Sequence, residues 1–82
     1  MTVEEQREMI GKIIWDNAQR MRDRMSEKLD EGVVGWNNPA NLYVFKAQAT
    51  LKVAEGDWLD AENYIMMILY LEQMQQLQGS SV

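Results

Sequence analysis

The sequence has 82 residues, the length of one small domain, which makes only a small core of its own. A hydrophobic content of 46% favours a folded chain, while the absence of Cys and His excludes a disulfide framework, a zinc–thiolate site and a serine triad. A net charge of −5 disfavours nucleic-acid binding, because that binding depends on neutralisation of phosphates by Lys and Arg.

The apolar runs predict a chain without a membrane segment. The longest run, residues 64–71, has eight residues, which is far too few to cross a bilayer. The first residues are acidic, so we expect no signal peptide. These features predict a cytoplasmic protein.

The first predicted helix covers residues 3–31. Thr2 and Glu5 have the spacing of a capping box at its start. Gly32 is expected to end it, because glycine accepts the left-handed turn that closes a helix. Apolar residues recur between these ends every three or four positions, as in an amphipathic helix: Ile10, Ile14, Ala18, Met21, Met25 and Leu29.

The second predicted helix covers residues 39–55. Asn38 is a favourable N-cap, and Pro39 fits the first helical position, where no backbone N–H is needed. Gly56 is expected to end this helix.

The third predicted helix covers residues 58–77. Asp57 is its expected N-cap, and Asp60 adds negative charge to the first turn, where the helix dipole favours it. Residues 79–82 are expected to form a frayed tail. The whole chain, residues 1–82, is therefore predicted to be a single all-α domain.

The third helix is apolar around its whole circumference over residues 64–71. Such a helix is expected to be buried on all sides, and two other helices of a chain this small cannot surround it. The pattern therefore predicts a homo-oligomer in which a second copy completes a helical bundle, with an interface at Tyr64, Met67, Ile68 and Leu71. The alternative is a single-chain bundle that leaves a few Met and Tyr side chains exposed.

Basic residues on the first helix are candidates for binding phosphate. Arg20, Arg24 and Lys28 follow one another at intervals of four residues beside the apolar stripe. Arginine can bind phosphate through two parallel hydrogen bonds. The alternative is a solvated face on which these cations pair with neighbouring acids.

Aromatic and amide side chains near the helix ends are candidates for binding a nucleobase. Trp36 lies in a connection and Trp58 opens the third helix, so either ring could stack on a base or cover the core. Asn63 could pair with a base edge or find a partner within the bundle. Asp57 and Asp60, one turn apart, could hold one cation, although a cap and its first-turn partner show the same spacing.

The chain resembles the small MazG-like all-α nucleotide pyrophosphohydrolases, whose stand-alone members are common in bacteriophage genomes. The similar parts are the end of the first helix, the Gly35-Trp36 connection and residues 56–68, Gly-Asp-Trp-Leu-Asp-Ala-Glu-Asn-Tyr-Ile-Met-Met-Ile. The resemblance covers about residues 21–72. It implies a helical bundle, a dimer or tetramer, and a site between helices for magnesium and a nucleoside triphosphate.

The resemblance fails at the metal ligands. The Glu-Glu-x-x-Glu motif of these enzymes aligns with residues 46–50, Lys-Ala-Gln-Ala-Thr, which contain no carboxylate. These enzymes also carry a second acidic pair at the start of the next helix, and this pair is present here as Asp57 and Asp60. Two carboxylates are too few to hold several magnesium ions. The chain is therefore similar to a degenerate member that has lost metal-dependent hydrolysis.

The leading hypothesis is a non-catalytic nucleotide-binding oligomer without a cofactor. It would be a phage protein of the host cytoplasm with an anti-defence role, sequestering a nucleotide or a cyclic nucleotide immune signal. Phosphate contacts are expected from Lys46, Arg20 and Arg24, because a lysine can neutralise phosphate where a metal did so in the family. The residues expected to contact the base are Trp36, Tyr43, Trp58 and Asn63.

Two other functions stay open from the sequence. One is a helical interaction protein that docks on a host protein and inhibits it, because Met-rich apolar surface adapts readily to partners. The other is an active magnesium-dependent pyrophosphohydrolase in which Asp57 and Asp60 hold the metal.

Overall fold

The computed structural model describes residues 1–80 of the chain, with side chains through residue 77. Three α-helices follow in chain order, α1 (Val3–Asp30), α2 (Leu42–Glu55) and α3 (Trp58–Ser80), and a short 3-10 helix at Pro39–Asn41 leads into α2. The predicted all-α class is confirmed, and residues 1–80 contain no strand. None of these helices combines the length and the hydropathy that crossing a bilayer needs.

The predicted helix boundaries lie within a few residues of the observed ones. The second helix starts at Pro39 as predicted, but its first turn is a 3-10 turn that becomes α-helical at Leu42. The third helix continues beyond the predicted end to Ser80. The predicted tail therefore begins within α3, and residues 81–82 lie outside the described part of the chain.

Local capping explains where the helices begin. The Thr2 hydroxyl accepts the Glu5 N–H at 3.0 Å, and the Glu5 carboxylate accepts the Thr2 N–H at 3.2 Å, which completes the predicted capping box. The Asn38 side chain likewise accepts the Ala40 N–H at 3.0 Å. These caps satisfy backbone donors that the first turn of a helix leaves unpaired.

The core lies mainly between α2 and α3. Its buried apolar residues are Leu42, Ala49, Ala61, Met67 and Leu71. The rings of Phe45 and Tyr64 meet beside this core with centroids 5.8 Å apart. Helices α2 and α3 thus form a packed pair, and α1 packs against one side of that pair.

Two of the residues predicted to contact a second copy belong to this core. Met67 is 5% exposed and Leu71 is 1% exposed, because α2 covers that face of α3 within the same chain. They have almost no surface left for a partner, and the prediction is corrected for both. Tyr64 and Ile68 are half-buried, and they retain some surface.

Helix α1 has no buried residue, although it is the longest helix. Its second half contacts α3, for example where the Asn17 amide donates to the Glu62 carboxylate at 2.7 Å. Residues 1–16 are all exposed. Six apolar side chains of residues 3–16 are more than half exposed, two of them Val3 and Trp15. The other four are one turn or less apart, and we call them the α1 N-terminal face: Met9, Ile10, Ile13 and Ile14.

Two glycines should respond in opposite ways to replacement by alanine. Gly11 lies within α1 with nothing near the position of an added Cβ, so Gly11→Ala is expected to raise the free energy of unfolding by about 0.5–1 kcal/mol. Gly56 ends α2 with φ +76°, where a Cβ is strained, so Gly56→Ala is expected to lower it by about 1–2 kcal/mol. Urea unfolding of both variants measures the two changes, and changes of the same sign would contradict these backbone assignments.

Candidate functional site

A cluster of charged side chains joins α1 to the first turn of α3. Asp60 is buried, and its carboxylate accepts a hydrogen bond from Arg24 Nε at 3.2 Å. Lys28 Nζ lies 3.6 Å from the same carboxylate oxygen, and this ammonium also lies 5.4 Å from the centre of the Tyr64 ring. Arg24 additionally pairs with Glu27 at 3.2 Å. Arg24 and Lys28, two of the three cations predicted to bind phosphate, thus neutralise Asp60 of their own chain.

The two carboxylates considered as metal ligands have different roles in the structure. The Asp57 carboxylate accepts the Asp60 backbone N–H at 3.2 Å, which makes Asp57 the cap of α3. The Asp60 carboxylate is held by Arg24 and Lys28. Among the residues that the structure describes, no three side chains of His, Cys, Asp or Glu are grouped so that they could hold a metal ion.

The pKa of Asp60 lies below its usual value. Burial alone raises this pKa, because it penalises the charged form, but the hydrogen bond from Arg24 favours the carboxylate. The positive charges of Lys28, Arg24 and Lys52 act in the same direction and together outweigh the loss of solvation. The ion cluster therefore stabilises the fold most when Asp60 is ionised.

An open apolar groove of about 420 Å³ lies between α1, α3 and the connection that carries Trp36. We call it the methionine groove, and its lining residues are Ala18, Met21, Arg22, Met25, Leu29, Trp36, Asn63 and Met66. The Trp36 ring packs against Tyr70 with ring centroids 5.5 Å apart. The Asn41 amide donates to the Gly35 carbonyl at 2.9 Å, which helps to hold this connection in place.

Asn63 is the unusual member of the groove lining. Its side chain is 1% exposed, and neither its amide nitrogen nor its amide oxygen has a hydrogen-bond partner within the described residues. Buried polar groups nearly always have a partner, so each exception calls for an explanation. Asn63 therefore marks the groove as a place where a bound group could supply the missing hydrogen bonds.

Other residues predicted to bind a nucleotide lie in separate places. Lys46 pairs with Glu72 at 3.3 Å and lies 5.7 Å from the centre of the Tyr43 ring, which is 81% exposed. Trp58 is exposed at the start of α3, and Arg20 is exposed on α1. Lys46 therefore lies near Tyr43, and Trp36 and Asn63 line the same groove. The residues predicted to bind the phosphate and the base do not lie together in one site.

The sequence pattern assigns several groove residues to the apolar packing faces of their helices and not to a binding site. Met21 and Met25 belong to the amphipathic stripe of α1, and Met66 belongs to the apolar run of α3. The spacing of four between Met21 and Met25 indicated that the two share a face. It carried no information on whether another element of the chain covers that face.

Comparison with protein-family models, with curated proteins and with solved structures finds no match for this chain. The resemblance to MazG-like proteins accordingly stays a prediction that rests on the residues quoted above.

The ion cluster predicts a pH-dependent effect of Asp60→Asn. The variant is expected to lower the free energy of unfolding by about 1–2 kcal/mol at pH 7, because Arg24 and Lys28 lose their shared carboxylate. The folded pKa of Asp60 is depressed, so its contribution is complete above the unfolded value of about 3.9 and is lost as the pH falls through the folded value. Urea unfolding between pH 7 and pH 2 should show the two proteins converging in stability.

A matched control for that experiment is Asp57→Asn. Asparagine caps a helix about as well as aspartate does, so this variant is expected to keep nearly the wild-type stability at pH 7. If the two Asp→Asn variants lost equal stability, the ion cluster would have no special role.

Proposed function

We propose that the protein is a helical interaction protein that binds a protein partner through the α1 N-terminal face. The observation that carries the proposal is the row of four apolar side chains on a half-helix whose residues are all exposed. Single exposed apolar residues are ordinary on protein surfaces, whereas a contiguous apolar patch marks an interaction site.

The composition of this face supports the proposal, because folding of the single chain does not require it. Ile10, Ile13 and Ile14 are β-branched, and such residues form helix less readily than Glu, Lys or Gln do. The core between α2 and α3 is complete without them. A partner that covers them explains why isoleucine occupies these positions.

The energetics indicate what kind of partner would be needed. Covering the remaining exposed surface of one such side chain contributes about 1–2 kcal/mol, so the four together contribute about 4–8 kcal/mol. Association costs about 4–15 kcal/mol in lost freedom of motion. The partner must therefore bring apolar surface of its own, as a groove or an amphipathic helix does.

A second candidate function is the binding of a nucleobase-bearing ligand in the methionine groove. Asn63 favours it, because an Asn amide can form two hydrogen bonds with a base edge, and the groove has the volume of a small-molecule site. It ranks second because Arg24 and Lys46, proposed to bind phosphate, are paired with Asp60 and Glu72. Arg22, at the groove wall, is the candidate for contacting a phosphate, because its own ion pair with Asp23, at 3.6 Å, is exposed to solvent.

The first proposal predicts that Met9 is protected from oxidation inside cells. Met9 and Met1 are both more than half exposed in the chain alone, so a brief pulse of hydroxyl radicals would oxidise both. In cells we expect Met9 to be oxidised several-fold more slowly than Met1, because the partner covers it. Mass spectrometry of the recovered peptides measures both rates, and equal rates would contradict the proposal.

Charged substitutions show whether the face itself causes the protection. Ile10→Lys combined with Ile14→Lys is expected to abolish Met9 protection while leaving the helix content unchanged, because neither residue is part of the core. Val44→Lys combined with Leu51→Lys places two charges at comparably exposed apolar positions of α2. This control is expected to keep Met9 protected.

The second candidate predicts opposite effects of Asn63→Leu on stability and on binding. The free energy of unfolding is expected to rise by about 1–2 kcal/mol, because an unpaired buried amide is removed. Binding of nucleotides, measured by calorimetry with a panel of linear and cyclic nucleotides, is expected to fall at least tenfold. If the wild-type protein binds no member of the panel at high micromolar concentration, this candidate is excluded.

A further inference from the structure

We infer that the partner of the α1 N-terminal face is the methionine groove of a second copy of this chain, with the two α1 helices antiparallel about a two-fold axis. The inference rests on the proposed function, and it names the partner and the geometry. It moves the predicted contact between copies away from Met67 and Leu71 of α3, to α1 and to the groove that α1 forms with α3.

Helix α1 carries both an exposed apolar ridge and one wall of the methionine groove. Ile10 and Ile14 continue the same stripe of α1 as Met21 and Met25. Ile10 and Ile14 form an exposed ridge, and Met21 and Met25 form part of one wall of the open groove. A two-fold axis lets each ridge fill the other groove, because both contacts of such an interface are identical. A parallel pair would place ridge on ridge and leave both grooves open.

The charge along α1 also favours an antiparallel pair. The first half of the helix, residues 3–16, contains four acidic and two basic side chains, whereas the second half, residues 17–30, contains four basic and three acidic ones. An antiparallel pair places each acidic half against a basic half. Glu8 on the first half and Arg20 on the second have no ion pair within the described part of the chain, so neither has to break one when the two helices pair.

The spacing of the ridge and the groove along α1 places the two-fold axis. The α1 N-terminal face is centred near residue 12, and the α1 wall of the groove is centred near residue 23. An axis that exchanges them crosses α1 near residue 17. Ala18 lies there, exposed and small enough to let two helices approach closely.

Asn63 gives this arrangement a defined register. A polar side chain within an apolar helix interface costs some stability, and it selects the alignment in which its hydrogen bonds are made. The α1 N-terminal face is apolar, so a polar residue beside it on the inserted helix is expected to reach Asn63, whose amide is unpaired within the described chain. An alignment shifted along the groove would leave that amide unpaired.

Distances between spin labels test the antiparallel geometry. The chain contains no Cys, so Glu4→Cys and Gln19→Cys each provide one labelling site, both outside the α1 stripe. At a helical rise of 1.5 Å per residue, the two Glu4 labels of an antiparallel dimer should lie roughly 40 Å apart and the two Gln19 labels roughly 20 Å apart. Similar distances at both sites indicate a parallel pair and overturn the inference, while the proposed function stands.

Sedimentation of two variants tests the ridge and the groove separately. Wild type is expected to be a dimer, while Ile10→Lys with Ile14→Lys, and Met66→Lys in the groove wall, are each expected to be monomers. Val44→Lys with Leu51→Lys is expected to remain a dimer, and circular dichroism checks that all variants stay folded.

The outcomes separate the inference from the function on which it rests. A wild-type monomer at about 100 μM, or a Met66→Lys protein that dimerises like wild type, overturns the self-pairing in the groove. Protection of Met9 in cells then decides independently whether another protein covers the α1 N-terminal face.

Discussion

The position of α1 depends on the contact between Asp60 and the two cations Arg24 and Lys28. Helices α2 and α3 share a buried core, but α1 contributes no buried residue to it. Its attachment rests on polar contacts with the first turns of α3 and on half-buried methionines. Because the methionine groove lies between α1 and α3, loss of this ion cluster is expected to change its width.

Local features of the fold could be predicted from the sequence, because their causes lie within a few residues. The Thr2 capping box, the Asn38 cap and the end of α2 at Gly56 all appear where the residue types require them. Contacts between helices could not be predicted in this way. Arg24 and Asp60 are 36 positions apart, and either residue alone is as compatible with solvent as with a partner.

The outer surface of the chain was the least predictable feature. A helix apolar on every side, as α3 is over residues 64–71, does not reveal which side a neighbour of the same chain will cover. Met67 and Leu71 are buried within the chain, whereas Ile10 and Ile14 on α1 are exposed, so the proposed partner surface lies on α1. The stripe of α1 was visible in the sequence, but only the structure shows that its first half, within residues 1–16, is left exposed.

Internal neutralisation of Asp60 also bears on what the protein can bind. A buried carboxylate needs compensating positive charge, and here Arg24 and Lys28 supply it from the same chain. These cations are thereby less available to a phosphate, and the carboxylate is less available to a metal. The remaining binding capacity of this side of the molecule lies in apolar surface, which favours a protein helix over a highly charged ligand. In the proposed pairing, Asn63 would restrict which helix, and which alignment, the groove accommodates, because its amide is unpaired within the described chain.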